Sequence, residues 1–581
     1  MKVLLLHPED ALGQSHPGQH WDLVVDIGRA PGGTYQRWSR QAECPVISIH
    51  DYAEETEDLY RLRQLLRFGS GRVTDRCGID WWEMLSLEIV SDLHHLMLIH
   101  RLSKELDAGC ELYTTRPHLL STALQRLLDS RLTTLENGFQ SVIRRAKHSR
   151  NVFLHLDAAQ VLQVIEDKFD GKHSIRRRFT RRRQTSTGKP VILLPSAYIN
   201  VTRTALSYAG LLPDHQFLLV HTRGNAKLSW LPGNVRAASL TPYFVPSNKK
   251  ETAGLIESWH SLQKQLVGCA EEFDTADGVG LLGRVAALLP WGIALRDAWS
   301  QFFQSENVTA CLSADDSNAP SSIPLILAKK RGLPALACHH GALNYVMAIK
   351  ANHAEFYLAK SEMERDYLKR TCHVAAEKLV IVVPSGAHPM PLPRPARRSA
   401  PWLVFFSEPY QSYGWRSDEV YRDLLPRLRG LAQACGLKLV FKLHPFDSVK
   451  GYRRMLRRLI PTHAGQIEVL AGPPSDQLWN DTRLALTVQS STALECTARN
   501  IPVFLCAWLR DSYSGYVHQY LRFGVGHLLE SSEQIASIPA LLATEDGESF
   551  EQQGARRTVD PVDFARLLSG TSHTLPVASG A

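Results

Sequence analysis

Short apolar runs, each closed by Gly, Pro, Asp or His and followed by apolar residues three or four apart, recur along the chain. That is the rhythm of alternating strands and helices. Strands are expected at Val3 to Leu6, Leu23 to Val25, Val46 to Ile49 and Glu111 to Tyr113. Between the last two, Leu85, Ile89, Leu93, Leu96 and Ile99 fall on one side of a core-facing helix within Trp81 to Leu106. A second series opens at Val191-Ile192-Leu193-Leu194-Pro195 and continues at Phe217 to Val220; after a helical region over 250–305 it resumes at Val308 to Leu312, Ala335 to Cys338 and Phe356 to Leu358. The third is the most regular, with strands at Trp402 to Phe406, 437–443, 467–470, 484–488 and Val503 to Cys506, and helices at 417–434, 448–459 and 492–499. No fixed-period repeat runs through the chain, which sets solenoids and propellers aside. The pattern predicts an α/β protein built from Rossmann-type units.

Breaks in the pattern divide the chain. They give an N-terminal α/β region over 1–130, a basic helical or linker segment over 131–189 and an α/β acceptor-side lobe over 190–388. A hinge over 389–400, rich in Pro and Arg, then leads to a nucleotide-binding Rossmann-like domain over 401–567 and a disordered tail over 568–581. The linker holds six Arg within the eight residues 176–183, whose mutual repulsion keeps them in solvent. Such a run serves as a connector, or as a contact for anionic headgroups or a phosphorylated acceptor.

Composition narrows the class. At 581 residues and 44% hydrophobic, the chain can bury about two to four cores. Lys plus Arg outnumber Asp plus Glu by 66 to 58, which favours anionic partners without marking a nucleic-acid binder. Ten cysteines are scattered singly, with no CxxC pair and no Cys/His cluster at zinc spacing, so no metal is assigned and a reducing cytoplasm is expected. The opening Met1-Lys2-Val3-Leu4-Leu5-Leu6-His7-Pro8 reads as a strand rather than a secretion signal. Val279 to Leu295, the longest greasy stretch, contains Arg284 and Pro290 and is shorter than the roughly 20 residues of a spanning helix; it reads as a buried or interfacial helix.

Two motifs stand where strands of the third series give way to helices, at the carboxyl ends where open α/β sheets bind ligands. In Lys442-Leu443-His444-Pro445, Pro445 breaks the strand, and Lys442 and His444, two apart, share a side. In Ser490-Ser491-Thr492-Ala493-Leu494-Glu495, Thr492 and Glu495 fit a capping box, and the helix start offers amides and hydroxyls to an anion. Alone, each is accounted for as a helix cap or a strand-end histidine; together, in one domain, they point to a nucleotide phosphate. The middle lobe offers Asp315 and Asp316 after the strand Val308 to Leu312, placed to deprotonate a hydroxyl or attack an anomeric carbon, unless Asp316 or Ser317 simply caps the next helix. Cys338-His339-His340-Gly341 offers His340 as a base or as a hydrogen-bond donor to the leaving phosphate and Gly341 for close backbone approach, or a buried histidine bonded to backbone. Adjacent histidines on a strand point to opposite faces, and no third ligand stands at a recognisable spacing, which again argues against a metal. Arg203 and Arg223, read as strand-end residues, are candidates for a sugar carboxylate or for surface salt bridges.

The KLHP and SSTALE pair, with the trailing Asn500-Ile501-Pro502-Val503, resembles the C-terminal domain of bacterial GT-B glycosyltransferases that build surface polysaccharides. Within that class it is similar to the CMP-sugar enzymes, namely polysialyltransferases and the capsule-type and lipopolysaccharide-type Kdo transferases. Polyol-phosphate transferases of teichoic acid synthesis share similar motifs, and His340-Gly341 resembles their HG element. The resemblance implies a GT-B-like fold, two Rossmann-type lobes facing a cleft, with an enlarged N-terminal region. It implies that His444, with Lys442 and Pro445 beside it, and Ser490, Ser491 and Thr492 hold the nucleotide phosphate, and that Glu495 holds the ribose. The CMP-sugar families place an acidic residue in an Asp/Glu-Asp-Gly context, where this chain has Asp315-Asp316-Ser317.

The activity so implied is transfer of a sugar, by preference Kdo or a related keto-acid sugar, from a nucleotide donor to a growing surface polysaccharide or lipid-linked acceptor. Asp315, Asp316 and His340 would be catalytic, with His339, Gly341, Arg203 and Arg223 towards the acceptor or sugar. The nucleotide-sugar is a substrate, and no cofactor is expected. Two other readings are a CDP-polyol phosphotransferase of teichoic-acid type and a non-catalytic nucleotide-binding scaffold. The expected location is the cytoplasm, peripheral at the inner face of the cytoplasmic membrane through 176–183, with no nucleic-acid partner.

Overall fold

The computed structural model describes residues 1–7, 20–28, 43–115, 117–135, 188–222, 230–245, 248–341, 343–384, 399–409, 417–445, 447–509, 517–544 and 561–570. Arg223, the basic segment 176–183, most of the hinge and the tail beyond 570 lie outside the described residues.

The three series of apolar runs become three parallel sheets. The first is built from β1 (Lys2–Leu6), β2 (Leu23–Asp26), β3 (Val46–Ser48), β4 (Glu111–Thr114) and β5 (Leu132–Thr134), in the order β3-β2-β1-β4-β5. The second holds β6 (Val191–Ser196), β7 (Phe217–His221), β8 (Val235–Ser239), β9 (Val308–Ser313), β10 (Ala335–Ala337), β11 (Phe356–Ala359) and β12 (Leu379–Ile381), in the order β12-β11-β10-β9-β6-β7-β8. The third holds β13 (Trp402–Phe406), β14 (Lys438–Lys442), β15 (Glu468–Leu470), β16 (Thr482–Thr487), β17 (Val503–Cys506) and β18 (His527–Leu529), in the order β15-β14-β13-β16-β17-β18. Every residue of β6 and of β13 is buried, as strands covered on both faces by helices must be.

In each sheet the chain starts centrally, winds to one edge, then returns to the other side of its first strand. The reversals fall between β1 and β4, β6 and β9, and β13 and β16. At such a point the connecting loops diverge and leave a crevice beyond the strand ends. Residues just past strands of the second and third sheets, or on the helices that follow them, lie within electrostatic reach of one another: His444 of His340 and of Arg203 on the helix after β6, and Glu495, on the helix after β16, of Lys360. The fold is thus GT-B-like, two Rossmann-type lobes facing a cleft, the middle lobe built on the second sheet and the third lobe on the third sheet, with the first sheet as an N-terminal enlargement.

The strands not foreseen, β5, β8, β12 and β18, all lie at sheet edges, where one neighbour's hydrogen bonds suffice and polar positions weaken the pattern. The helix expected within Trp81 to Leu106 is two helices, Trp81–Ser86 and Val90–Ser103. The first sheet and middle lobe share one core in which Trp81, Trp82, Trp259, Phe273 and Trp299 are buried. The helix Leu289–Ser305 packs so closely that a Cβ on Gly292 would lie 2.4 Å from the Trp81 ring. Arg296 on that helix is fully buried, bonded to Asp75, Glu251 and Asp297, which ties the N-terminal region to the middle lobe. The greasy stretch lies in this core, with Leu281, Leu282, Val285, Leu289 and Ile293 fully buried. Among the described residues no single helix is long and apolar enough to cross a membrane; one pair, Glu271–Gly278 and Leu281–Ser305, would pass together but is bent by 71°. The helix Pro561–Ser569 returns to the middle lobe and buries Phe564, Leu567 and Leu568 there, so Leu568, placed in the tail by the sequence, belongs to a core.

Candidate functional site

On the middle-lobe side, the site grows from the ends of β6, β9, β10 and β11. Tyr198 follows β6 and Asp315 follows β9, so they face each other across the chain reversal. The Tyr198 hydroxyl donates to Asp315 Oδ2 and lies 3.3 Å from His340 Nδ1. The remaining capacity of Asp315 is filled by the Ser317 amide at 2.9 Å, the Ser317 hydroxyl at 2.6 Å and Asn318 Nδ2 at 2.8 Å. Burial opposes ionisation of Asp315, but the facing imidazoles and these bonds outweigh it and hold its carboxyl below the usual range.

Asp316 has a different role. Its Oδ2 accepts from Lys350 Nζ at 2.7 Å and Tyr357 hydroxyl at 2.9 Å, and its backbone carbonyl accepts from Ser322 at 2.7 Å. The pairing is buried, so Asp316 braces the lobe while Asp315 faces the histidines. Neither caps the following helix: Asn318 does, accepting from the Ser321 amide at 3.2 Å.

The adjacent histidines do not diverge as expected, because β10 ends at Ala337, so residues 338–341 are not strand and both rings turn towards Asp315. His339 Nδ1 is 3.9 Å and His340 Nδ1 3.8 Å from its carboxylate. Burial depresses both imidazoles, leaving them neutral near pH 7. His340 is the more open, at 18% side-chain exposure against 5% for His339. Lys360, following β11, fixes this loop by donating to the His339 carbonyl at 2.9 Å and the Gly341 carbonyl at 3.2 Å. The pairing of β9 with β10 also supplies the third ligand that sequence spacing lacked: Asp315, His339 and His340 each offer one atom within 4.8 Å of the others. A cation there would have to displace hydrogen bonds already made to Asp315 and would sit beside the Lys360 ammonium.

Arg203 lies within the helix Ile199–Ala209, not at a strand end, and half-buried it approaches Lys442 and His444 of the other lobe. Across the cleft, β14 ends at Lys442. Its ammonium donates to the Gly472 carbonyl at 2.5 Å and the Leu443 carbonyl at 3.2 Å; burial and nearby Arg203 lower its pKa to about 8. Pro445 sits in the turn closed by the Asp447 amide on the His444 carbonyl at 2.9 Å. The His444 amide donates to Ser407 Oγ at 3.0 Å. Burial, reinforced by His340, Lys442 and Arg203, pushes the His444 imidazole down to about 4.

Ser490, Ser491 and Thr492 follow β16, on the far side of β13 from His444, so the two motifs are separated by two strand spacings, about 10 Å. The expected capping box does not form: Thr492 lies inside its helix, Ser490 Oγ accepts the Thr492 amide at 3.3 Å, and Glu495 lies 3.8 Å from Arg499 and in the fields of Lys360 and Lys442. Tyr520 pins the turn, its hydroxyl donating to the Ser490 carbonyl at 3.2 Å. Between the two motifs stands Glu408, beyond the end of β13. Burial raises its carboxyl to about 7, with Asp447 adding to the rise. Tyr198, Lys360, Glu408 and Asp447 were not singled out from the sequence. Three of them stand within three residues of a strand end and would have been found by listing every such position, but as single residues they form no motif.

No protein-family model matches this chain, and no curated protein matches it in sequence. Among solved structures, UDP-GlcNAc 2-epimerase from Methanocaldococcus jannaschii matches at 11% identity and a TM-score of 0.38, over 66% of this chain and 99% of that one. MurG from Acinetobacter baumannii matches at 11% identity and a TM-score of 0.34, over 61% and 90%. The wall teichoic acid polymerase TagF matches at 10% identity and a TM-score of 0.34, over 70% and 89%.

Proposed function

We propose that this protein is a nucleotide-sugar glycosyltransferase that holds the nucleotide on the third lobe and the acceptor against the middle lobe, acting in surface-polysaccharide assembly. The observation that carries the reading is the meeting, across one cleft, of Lys442, His444 and Glu495 from one lobe with Arg203, His340 and Lys360 from the other. Cationic and imidazole groups held in place before the reaction are what a departing nucleotide phosphate needs, because they stabilise its charge without reorganising. His340 takes the proton of the acceptor hydroxyl, since its imidazole is neutral and the most open of the cluster. Asp315 and Tyr198 act through it: the tyrosine hydroxyl, anchored on the carboxylate, keeps the ring in place. Arg203 suits the carboxylate of a keto-acid sugar, Kdo being the preferred donor sugar and CMP the preferred nucleotide, a choice supported by the motif resemblance. Closure of the lobes keeps water from the donor, since hydrolysis competes with transfer.

The test is a nucleotide panel by thermal shift on the full chain, followed by release of CMP from CMP-Kdo and from CDP-glycerol. Preferential stabilisation by CMP over UDP and GDP, with release from the CMP-sugar, supports the reading. Release from CDP-glycerol alone moves the chemistry to phosphorus and makes the protein a polyol-phosphate transferase. Stabilisation without release from either donor, together with unchanged cellular polysaccharide in Asp315→Ala and His340→Ala strains, leaves a nucleotide-binding scaffold.

A further inference from the structure

The helix Val449–Leu459 reads VKGYRRMLRRL, with Lys450, Arg453, Arg454, Arg457 and Arg458 and no acidic residue. Tyr452, Met455 and Leu456 are buried in the third lobe's core, and all five cations are exposed. Positions 450, 453, 454, 457 and 458 recur every three or four residues, so they form a single stripe about 12 Å long. Two other surface helices pair part of their charge: Glu362–Arg370 pairs Arg365 with Glu362 and Arg370 with Asp366, and on Ser417–Ala434 Arg427 pairs with Asp423 and Glu533. No ion pair among the described residues involves Lys450, Arg453, Arg454 or Arg457. These four like charges on one helix face, without an ion-pair partner among the described residues, repel each other, and an anionic partner relieves that repulsion.

We propose that this stripe docks the protein on an anionic phospholipid bilayer. The helix's aromatic residue, Tyr452, is buried, so the face has no stacking platform of the kind that single-stranded nucleic acids use. Its apolar side is committed to the core and cannot insert into lipid, so the contact is electrostatic, with long basic side chains reaching a fluid array of headgroups. Such binding is weak per residue and salt-sensitive. The helix begins shortly after the turn at His444 and Pro445, so a bilayer held there lies beside the nucleotide-binding lobe. The inference stands on the charge pattern and does not depend on the donor chemistry.

The experiment is vesicle flotation of the full chain with phosphatidylcholine alone and with phosphatidylcholine containing phosphatidylglycerol, at low and high salt. Binding is expected with the anionic vesicles only, and is lost at high salt. Arg453→Glu/Arg454→Glu/Arg457→Glu should weaken it by about a hundredfold or more, since each cation near the surface is worth roughly fivefold. The charge-preserving triple Lys variant should bind like the parent, which separates charge from folding. The proposal is overturned if anionic vesicles are ignored, or if the charge-reversed protein, with unchanged thermal stability, still floats. It also falls if Gln substitutions across the Arg residues of 176–183 abolish binding while those in the helix do not, or if a single-stranded oligonucleotide displaces the vesicles at equal charge concentration.

Discussion

Binding of a phosphate at the cleft should draw a proton onto His444. With its imidazole pushed down to about 4, only about one molecule in a thousand carries the charge at pH 7 in the empty cleft. Each charge of a phosphate about 4 Å away, at an effective dielectric of about 20, interacts with an imidazolium by about 4 kcal/mol, or about three pKa units, and CMP carries between about one and two such charges at pH 7. That lifts the group to about 7 or above, so at least about half a proton is taken up per nucleotide bound at pH 7. Lys442, at about 8, is already about nine-tenths protonated and adds at most about a tenth. Glu408, near 7, adds a further fraction that does not depend on His444. Calorimetric titration of CMP into the full chain at pH 7, in buffers of different ionisation enthalpy, reads the proton number from the slope. The His444→Gln variant should lose at least about half a proton relative to the parent while keeping measurable affinity. Equal slopes for the two proteins would mean that no phosphate approaches this imidazole, and the assignment of the third lobe's crevice would be wrong.

Tyr198→Phe removes the hydroxyl between Asp315 and His340; kcat should fall by about tenfold to a hundredfold, with the CMP-induced thermal shift unchanged, and a loss of CMP binding instead would place Tyr198 at the nucleotide. Gly292→Ala should lower stability by about 1–3 kcal/mol in denaturant titration, because the added methyl collides with Trp81. Glu408 is raised from 4.5 to about 7, so its folded form holds a proton that the unfolded chain releases; its contribution is present below about 4.5 and is lost as pH rises towards 7. Glu408→Gln should therefore gain Tm relative to the parent on going from pH 4.5 to pH 8, by an amount corresponding to about 3 kcal/mol, and a pH-independent difference would show that the carboxyl is not buried as described. Arg296→Met leaves Asp75, Glu251 and Asp297 without their cation and should cost about 3–5 kcal/mol at neutral pH; a stability within error of the parent would refute the buried cluster as a tie between the N-terminal region and the middle lobe.

What the chain determines by itself is the alternation of buried strand and helix. Runs such as Val191–Ser196 and Trp402–Phe406 have no polar face, so only a sheet covered on both sides accommodates them. From that alternation the positions just past the strands follow, and with them Asp315, His340, His444 and Ser490 as residues at carboxyl ends. Tertiary structure decided which of these meet. Asp315 and Asp316 are neighbours of the same type, yet one faces Tyr198 and the histidines while the other is buried against Lys350 and Tyr357, a division set by which strand lies alongside. The two histidines converge because β10 stops at Ala337, and the capping box is absent because the helix begins at Thr492 itself. Periodicity reports which face of an element is buried. It carries no record of strand order, and strand order brings Tyr198 to Asp315 and sets Glu408 between the two motifs.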